Sequence, residues 1–514
     1  MRNIFCKIFL PTLAVALGAT SCMDDDSFTQ SSAYSLSMST DTLLLDTTFS
    51  TVPTPTKTFW VYNRSGKGLR LSNVRLQRGN QSGFRVNVDG TYLGQQSGFQ
   101  TSDIEVRNKD SIRVFVELTS PKNGQSTPQL VEDNLLFTLE SGLQQKVCLR
   151  SWSWDAILLR NLRISSDTTL AQAKPVVVYG GIVVDSLATL TLAEGLTLYF
   201  HGDAGITVYG TLRSLGSQSN PVVLRGDRLD HMFDYLPYDR VSGQWQGIKF
   251  TASSFDNILQ HTDIHSTYNA IALDSSDISR QKLFLSNSMV HNCQGFGISN
   301  SYSNLKIENS VVSNTLGNCL EIMGGKTLVN SSTFAQFYPF DANRGSALYF
   351  SAGTGMDTLD CRNSLFTGYA TDVVMRTAPD SAVALPFGFR HCVMRTEKET
   401  TADSLRFISV VYEDAEDTTK YGKKHFAVID EDNLYYDFSL DSTSAAISAA
   451  DAATATPVDI RGNKRDDAPD CGAYEYQAPA ADWPDKQNSK QHIIKSNIKY
   501  YTDERIEEKK TNDA

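Results

Sequence analysis

The sequence predicts an all-β protein in which a β-sandwich is followed by a parallel β-helix, a solenoid of short stacked strands. The first observation is a repeated phrase of an apolar residue, a gap, a small polar residue and an apolar pair. The copies of this phrase span residues 259–264, 285–290, 307–312, 329–334, 361–366 and 389–394. Its central residues are 261, 287, 309, 331, 363 and 391, which gives steps of 26, 22, 22, 32 and 28 residues. Repeats of roughly 20–50 residues indicate units that bury their apolar faces only against their neighbours.

The second observation is another apolar strand that follows each phrase after a Gly or Asn turn. These second strands span residues 269–273, 297–299, 318–322, 345–350 and 372–375. Side chains in a strand alternate between two faces, so a slip of one residue would expose the whole apolar set. Asn tolerates left-handed backbone geometry at turns and forms ladders between stacked strands. Because His261 and His391 occupy the Asn position of the repeat, we expect turn residues there rather than metal ligands.

The first 22 residues have the pattern of a sorting signal. Arg2 and Lys7 precede an apolar stretch at 8–18, and small residues at 19–21 lead to Cys22. This pattern resembles that of a bacterial lipoprotein, although Ala19 stands where Leu is usual. The resemblance implies cleavage before Cys22 and acylation of Cys22, which would anchor the protein in outer-membrane lipid.

The acidic residues at 23–26 resemble the signal that sends lipoproteins of one group of Gram-negative bacteria to the cell surface. The alternative is a solvated linker that happens to be acidic. An acidic, Ser/Thr-rich tether is predicted over residues 23–55. The following residues, 56–154, contain about seven short alternating strands, which predicts a β-sandwich. This segment resembles the immunoglobulin-like domains of large surface proteins, so we expect it to be a spacer without chemistry of its own.

Composition excludes some partners. The net charge of −11 and the pI near 5.3 argue against nucleic acid. After the signal, the sequence has no apolar stretch long enough for a transmembrane helix. Six cysteines remain once Cys6 and Cys22 are set aside, and they have no CxxC pairing, so they predict no zinc site. We expect a monomer without a cofactor.

The β-helix is predicted over residues 155–476, and its first turns are interrupted by a segment without strand alternation. Loops that project from a rigid stack often carry function. The candidate glycan-binding or Ca²⁺-binding residues of this loop are Asp227, Arg228, Asp230, His231, Asp234, Tyr238, Asp239, Arg240 and Trp245.

Three interpretations of the loop remain open. Its carboxylates would suit Ca²⁺ and proton abstraction beside a uronate, as in pectate-lyase-type β-helices. Paired carboxylates would suit glycoside hydrolysis, as in polygalacturonase-type β-helices, although the Asp pattern of those enzymes is missing. The third interpretation is an Asp/Arg network that fixes the loop to the stack, with Tyr and Trp as covers.

The end of the solenoid carries a motif, D-x-x-G-x-x-R followed by D-x-G-A-x-E. Its fixed residues include Asp459, Gly462, Arg465, Asp470, Gly472 and Glu475. The motif resembles the closing segment of bacterial right-handed parallel β-helix proteins with a pectin-lyase-like fold. This resemblance implies a structural cap over the last turn, and it does not select a reaction. Residues 477–514 are predicted to form a polar tail.

Together these patterns predict a surface lipoprotein whose β-helix binds an extended glycan. A long groove along parallel strands with exposed Tyr, Trp and Asn suits a polymer better than a small metabolite. The alternatives are a polysaccharide lyase or glycoside hydrolase that acts on a uronic-acid polymer, and a non-catalytic adhesin or scaffold.

Overall fold

The computed structural model describes residues 27–351, 356–369, 374–377, 387–398, 405–413 and 422–478. The predicted lipidation site Cys22 and the tail beyond residue 478 lie outside these ranges. The regular secondary structure of the described residues consists of strands, apart from three short 3-10 helices at Gln95–Ser97, Tyr238–Arg240 and Lys423–His425. None of their helices is both long and apolar enough to cross a membrane.

Residues 37–154 form two sheets that share one apolar core. The strands of this unit are β1 (Ser37–Met38), β2 (Thr42–Leu44), β3 (Thr48–Phe49), β4 (Lys57–Tyr62), β5 (Leu69–Leu76), β6 (Phe84–Val88), β7 (Thr91–Tyr92), β8 (Gln100–Thr101), β9 (Ile104–Val106), β10 (Ser111–Leu118), β11 (Gln129–Leu139) and β12 (Gln144–Trp154). One sheet has the order β1-β4-β10-β6-β7, and the other is built around β2-β12-β11-β5-β8. Inward side chains at period two, such as Val114 and Val116 on β10, fill the space between the sheets.

The predicted tether differs from the structure in residues 37–49. There β1 pairs with β4, while β2 and β3 pair in parallel with β12. Ser and Thr made this segment look like a linker, but Thr also favours strands, and Leu43 and Phe49 supply buried side chains. These short strands complete the sheet edges instead of spanning solvent.

The second unit is a stack of parallel strands into which one antiparallel hairpin is inserted. They are β13 (Ile157–Ile164), β14 (Thr168–Leu170), β15 (Val176–Val184), β16 (Thr189–Leu192), β17 (Thr197–Phe200), β18 (Ile206–Val208), β19 (Thr211–Leu215), β20 (Val222–Gly226), the hairpin β21 (His231–Phe233) and β22 (Leu236–Pro237), β23 (Ile248–Phe250), β24 (Asn257–Gln260), β25 (Thr262–His265), β26 (Ile271–Leu273), β27 (Leu283–Ser286), β28 (Met289–Cys293), β29 (Ile298–Asn300), β30 (Ser303–Glu308), β31 (Val311–Thr315), β32 (Leu320–Ile322), β33 (Gly325–Asn330), β34 (Thr333–Gln336), β35 (Leu348–Ser351), β36 (Met356–Arg362), β37 (Leu365–Gly368), β38 (Val374–Thr377), β39 (Phe387–Arg390), β40 (Val393–Met394), β41 (Phe407–Ile408) and β42 (Val411–Tyr412).

These strands form three parallel ladders along the stack. Ladder A joins the first halves of β13 and β15 to β17, β20, β25, β28, β31, β34, β37, β40 and β42. Ladder B joins their second halves to β18, β23, β26, β29, β32, β35 and β38. Ladder C joins β14, β16, β19, β24, β27, β30, β33, β36, β39 and β41. The chain therefore visits C, A and B in turn, which is the path of a parallel β-helix.

The repeated phrase is the tight turn from ladder C to ladder A. Its central residue has a left-handed backbone in successive copies: His261 (φ 44), Asn287 (φ 49), Asn309 (φ 50), Ser331 (φ 46), Asn363 (φ 48) and His391 (φ 51). Non-glycine residues rarely adopt this conformation, and Asn and His are enriched among those that do. The expectation that His261 and His391 are turn residues is confirmed.

A ladder of hydroxyl groups lies one residue after each of the first five turns, at Thr262, Ser288, Ser310, Ser332 and Ser364, whereas Cys392 follows the sixth turn. The amide nitrogens of Thr262, Ser288, Ser310 and Ser332 donate to the hydroxyl of the next turn, at Ser288, Ser310, Ser332 and Ser364, over 3.0–3.2 Å. Each of these serine hydroxyls also donates to the carbonyl two residues earlier in the chain. Every buried polar group in this column therefore has a partner in its own turn or in a neighbouring one.

The bore of the solenoid is filled by the inward side chains of all three ladders. Val290, Val312, Phe334 and Phe366 stack along ladder A, while Ile298, Leu320 and Leu348 stack along ladder B. The rings of Phe334 and Phe366 lie parallel at 5.0 Å. This core is continuous from one turn to the next, as expected for a solenoid.

The closing motif lies along the side of the stack, so its predicted role as an end cap is corrected. Cys471 contacts the carbonyl of His391, Ala473 donates to Thr333 over 3.0 Å, and Arg465 donates to Asn309 over 3.3 Å. These partners belong to three different turns of the solenoid.

Apolar residues explain this placement. The outward side chains of ladder A at Val311, Ala335, Leu365 and Val393 are buried under the C-terminal residues, including Phe438 on β44 (Tyr435–Leu440) and Phe426 on β43 (Phe426–Asp430). Such a surface needs a cover along its length rather than at its end.

Polar groups of the motif bond one another beneath this cover. Arg465 pairs with Glu475 over 3.0 Å, Glu475 donates its amide to Asp459, and Asp470 accepts the amides of Ser448 and Tyr476. Gly462 and Gly472 supply left-handed turns with φ of 78 and 101. The motif is thus a folded strap held over the ladder A surface.

Candidate functional site

The loop of residues 227–245 leaves the stack after β20 and returns before β23. It contains the small hairpin of β21 and β22 and a 3-10 turn at Tyr238–Arg240. Trp245 ends the loop inside the core, where its ring stacks on Phe200 at 4.2 Å and its indole nitrogen donates to the carbonyl of His265 over 2.8 Å. Trp245 was predicted as a candidate glycan contact, but it is a buried anchor of the loop.

A column of four polar side chains lies on successive turns at the edge of ladder A. Arg160 on β13 pairs in register with Tyr179 on β15, and His201 and Asp227 directly follow β17 and β20. The Arg160 guanidinium lies 4.4 Å from the Tyr179 ring centre, and the Tyr179 and His201 rings are 4.7 Å apart. His201 Nδ1 lies 2.7 Å from Asp227 Oδ2. We name these four residues the edge column.

The edge column lines a cleft of about 470 Å³ between the first turns of the solenoid and residues 45–57 of the N-terminal unit. The N-terminal side contributes Asp46 and Lys57, which form an ion pair of 2.9 Å. Arg228 and Asp230 of the loop also line the cleft and bind each other through two hydrogen bonds of 2.7 and 2.6 Å.

The charged side chains of the cleft differ in whether they have an oppositely charged partner. Among the described residues, no carboxylate pairs with Arg160, whereas Asp227 is paired with His201. Burial, followed by the nearby negative charge of Asp227, raises the pKa of Tyr179. The cleft therefore offers the guanidinium of Arg160, which packs on the face of Tyr179, and the imidazole of His201, which Asp227 orients.

A second cluster lies on the outward side of ladder A, where the loop folds back over the stack. Arg225 and His265 are neighbours in one outward column, and His265 pairs in register with His291. Asp239 of the loop accepts from Arg225 over 2.6 Å and lies 2.9 Å from His265 Nε2. Asp263 Oδ1 lies 2.9 Å from His265 Nδ1 and 3.0 Å from His291 Nε2. The two imidazole rings stack at 4.8 Å. We name Asp263, His265 and His291 the imidazole cluster.

Electrostatic interactions in and around this cluster favour the charged forms of His265, Asp263 and Asp239. Burial by itself would lower the pKa of His265, but Asp263 and Asp239 outweigh it and raise the pKa to about 9. Burial by itself would raise the pKa of Asp263, yet the charges of His265 and His291 hold it well below its usual value. Burial would also raise the pKa of Asp239, but the positive charge of Arg225, followed by that of His265, lowers it.

The other predicted loop residues are dispersed. Asp234 is exposed at the hairpin tip, and His231 lies 3.4 Å from Asp46 of the N-terminal unit. Tyr238 packs under Arg228 at 3.8 Å, and Arg240 donates to the carbonyl of Asn433 over 2.7 Å. The loop carboxylates other than Asp234 face cationic or imidazole side chains, which agrees with the interpretation of a network that fixes the loop. Calcium binding by this loop stays a prediction.

Several residues of these sites were missed by sequence reasoning. They are Arg160, Tyr179, His201, Arg225, Asp263, His265 and His291. One signal was available for the imidazole cluster, because His265 and His291 both stand four residues after the turn residue of their phrase. The equivalent positions in the next three copies are Ser313, Ala335 and Thr367, so the two histidines are followed by three small residues in the same outward column.

The strand pairing defines an all-β protein with parallel β-helix architecture. No protein-family model matches the sequence, and no curated protein matches it. Among solved structures, the chain is similar to the catalytic unit of a thermostable GH87 α-1,3-glucanase from Streptomyces thermodiastaticus, with 10% identity and a TM-score of 0.25 over 69% of this chain and 88% of that chain. It is also similar to a family 123 glycoside hydrolase from Clostridium perfringens, studied for glycolipid glycan hydrolysis, with 6% identity and a TM-score of 0.18 over 26% of this chain and 30% of that one. The parallel ladders, and not these similarities, define the fold.

Because Asp239 fixes the loop to the stack, we expect substitutions of two loop aspartates to differ in their effect on stability. Replacement of Asp239 by Ala leaves Arg225, whose side chain is 7% exposed, beside His265 without the carboxylate that both contact. We expect this change to lower the free energy of unfolding by about 1–3 kcal/mol. Asp234→Ala, at the exposed tip of the same loop, should change it by less than about 0.5 kcal/mol. Urea denaturation measures both, and equal losses would contradict the network.

Proposed function

We propose that the protein is a lipid-anchored β-helix that binds an extended, uronic-acid-containing glycan in the cleft beside the edge column. The observation that carries this proposal is the run of Arg160, Tyr179, His201 and Asp227 along one side of that cleft. Neighbouring strands of a sheet are about 4.8 Å apart, so these groups repeat along the solenoid axis. A linear array of donors, acceptors and an aromatic face suits a linear polymer.

The charge of Arg160 supports an acidic sugar. A guanidinium forms paired hydrogen bonds with a carboxylate, and this geometry is stronger and more specific than contact with a neutral hydroxyl. Arg160 packs on Tyr179 and has no carboxylate partner among the described residues, so it is available to the carboxyl group of a uronate. Lys57 lines the same cleft, although Asp46 already pairs with it.

A second candidate function is cleavage of such a glycan by elimination, which the pairing of His201 with Asp227 favours. If Asp227 accepts the proton of Nδ1, Nε2 of His201 has a free lone pair and serves as a general base. The base would take the proton beside the uronate carboxyl group, a carbon–carbon double bond would form, and the glycosidic C–O bond would break. The proton would then pass to the departing sugar oxygen.

Hydrolysis receives less support from the same cleft. Most glycoside hydrolases use two carboxyl groups in complementary roles. Asp230 is engaged by Arg228 through both oxygens, and Asp227 is engaged by His201. If the protein binds the glycan but releases no cleavage product, the non-catalytic adhesin is the better account.

The anchoring proposal rests on the sequence around Cys22. The apolar stretch, the small residues before Cys22 and the acidic residues after it support an acylated protein on the outer face of a Gram-negative outer membrane. The N-terminal unit would then separate the lipid from the solenoid.

The anchor is tested by replacing Cys22 with Ala in the expressing cells. Without the acylated thiol, the protein should shift from the membrane fraction to the soluble fraction while its far-UV circular dichroism stays unchanged. A variant that remains wholly membrane-bound would rule out lipid anchoring through Cys22.

The cleft is tested with polygalacturonate and alginate as probes. Loss of a charged hydrogen bond at Arg160→Ala should weaken binding about 10- to 100-fold. The control is Arg163→Ala, which removes the same charge from the same strand, where the side chain is 72% exposed and pairs with Asp185. If elimination occurs, His201→Ala should lower the release of unsaturated products at least 100-fold while binding persists.

Two results would contradict these proposals in different ways. Binding that is equal for wild type, Arg160→Ala and Arg163→Ala would remove the edge column as a glycan site. Unsaturated products that His201→Ala releases at the wild-type rate would leave the site in place but exclude His201 as the base.

A further inference from the structure

The imidazole cluster on the outward side of ladder A is separate from the glycan cleft. We propose that Asp263, His265 and His291 bind one divalent transition-metal ion of the zinc type. The three side chains each present one ligand atom, and these atoms all lie within 4.8 Å of one another. They come from neighbouring strands β25 and β28, whose register is fixed by the parallel ladder.

The spacing of the ligand atoms fits a single ion. Zn²⁺ binds imidazole nitrogen and carboxylate oxygen at about 2.0–2.2 Å, so two ligands of a tetrahedral site lie roughly 3.3 Å apart. Asp263 Oδ1 already lies 2.9 Å from His265 Nδ1 and 3.0 Å from His291 Nε2. The remaining nitrogen pair lies within 4.8 Å, so it needs to close by no more than about 1.5 Å.

The surroundings of His265 match those of a metal-binding histidine. Such a histidine binds metal through one ring nitrogen and donates its other N–H to a carboxylate or carbonyl. His265 Nε2 lies 2.9 Å from Asp239 Oδ1, which leaves Nδ1 facing Asp263 and the proposed ion. Arg225 holds the Asp239 carboxylate, and the hydroxyl of Ser266 donates to the Asp239 carbonyl over 2.9 Å. The orientation of the ligand is therefore set before any ion arrives.

The donor set selects the class of ion. Two imidazoles and one carboxylate suit Zn²⁺, Co²⁺, Ni²⁺ or Fe²⁺, whereas Ca²⁺ and Mg²⁺ require oxygen donors. Both imidazoles contact the same oxygen of Asp263. The incoming dication displaces the protons that stand between the nitrogens and this oxygen, and those protons pass to solvent.

Access to the cluster comes from one side. The His265 side chain is 6% exposed, but those of His291 and Asp263 are 27% and 19% exposed. Three protein ligands leave at least one coordination position for water or a ligand, which is the arrangement of reactive rather than purely structural metal sites. The ion would therefore be reachable from solvent past His291.

The proposal is tested by calorimetric titration of the tag-free, chelator-treated full chain with ZnCl₂. We expect one ion per chain. His291→Gln removes a ligand but keeps a hydrogen-bond donor toward Asp263, and it should weaken Zn²⁺ binding at least 100-fold. Asp239→Asn, which acts through His265, should weaken binding about 10- to 100-fold. CoCl₂ added to the wild-type chain should give visible absorption bands of a four- or five-coordinate ion, which CaCl₂ does not reverse.

The matched control is His261→Asn. It removes an imidazole two residues from Asp263, and Asn occupies the same left-handed turn position at Asn287 and Asn309. This variant should bind Zn²⁺ with wild-type affinity. Circular dichroism of each ion-free variant separates loss of a ligand from loss of the fold.

Three results would overturn the proposal. The first is the absence of stoichiometric Zn²⁺ binding and of Co²⁺ bands in the wild-type chain. The second is an equal loss of affinity in His261→Asn and a folded His291→Gln. The third is displacement of Co²⁺ by equimolar Ca²⁺. The Co²⁺ spectrum of the wild-type chain tests metal binding even if His291→Gln fails to fold. None of these measurements depends on glycan binding.

Discussion

The register between ladder C and ladder A is the constraint on which the rest of the structure depends. A left-handed residue at 261, 287, 309, 331, 363 and 391 turns the chain within one or two residues, and a buried hydroxyl follows at 262, 288, 310, 332 and 364. Each hydroxyl from Ser288 onward accepts the amide of the preceding turn. A one-residue slip would break these bonds and turn the apolar side chains outward at the same time.

This register also creates both candidate sites. Because equivalent positions stack from turn to turn, single polar residues on separate strands become columns. Arg160, Tyr179, His201 and Asp227 form one column, and Arg225, His265 and His291 form another. The loop of residues 227–245 contributes to both sites, since Asp227 faces the cleft and Asp239 faces the imidazole cluster. Farther along ladder A the outward side chains of Val311, Ala335, Leu365 and Val393 are apolar, and the C-terminal residues cover them.

Local signals explain what the sequence predicted and what it missed. Period-two apolar residues and turn-forming Asn act within one repeat, so the parallel ladders could be predicted. The partners of the loop could not, because His201, His265 and Asp46 lie far along the chain from the loop residues that they contact. Trp245 looked like an exposed aromatic and is a core residue, while residues 37–49 looked like a linker and pair with β4 and β12. The imidazole cluster could have been predicted only by aligning the repeats and comparing the fourth residue after each turn.

A pair of chemically identical substitutions tests whether the buried hydroxyl ladder fixes the register of the solenoid. Ser310 is buried and bonds within its own turn and to the turns on either side, whereas Ser299 lies on the outward face of β29. Equilibrium urea denaturation should show that Ser310→Ala costs about 1–3 kcal/mol of unfolding free energy, while Ser299→Ala costs less than about 0.5 kcal/mol. If Ser299→Ala is as destabilising as Ser310→Ala, or more so, the assigned register is wrong.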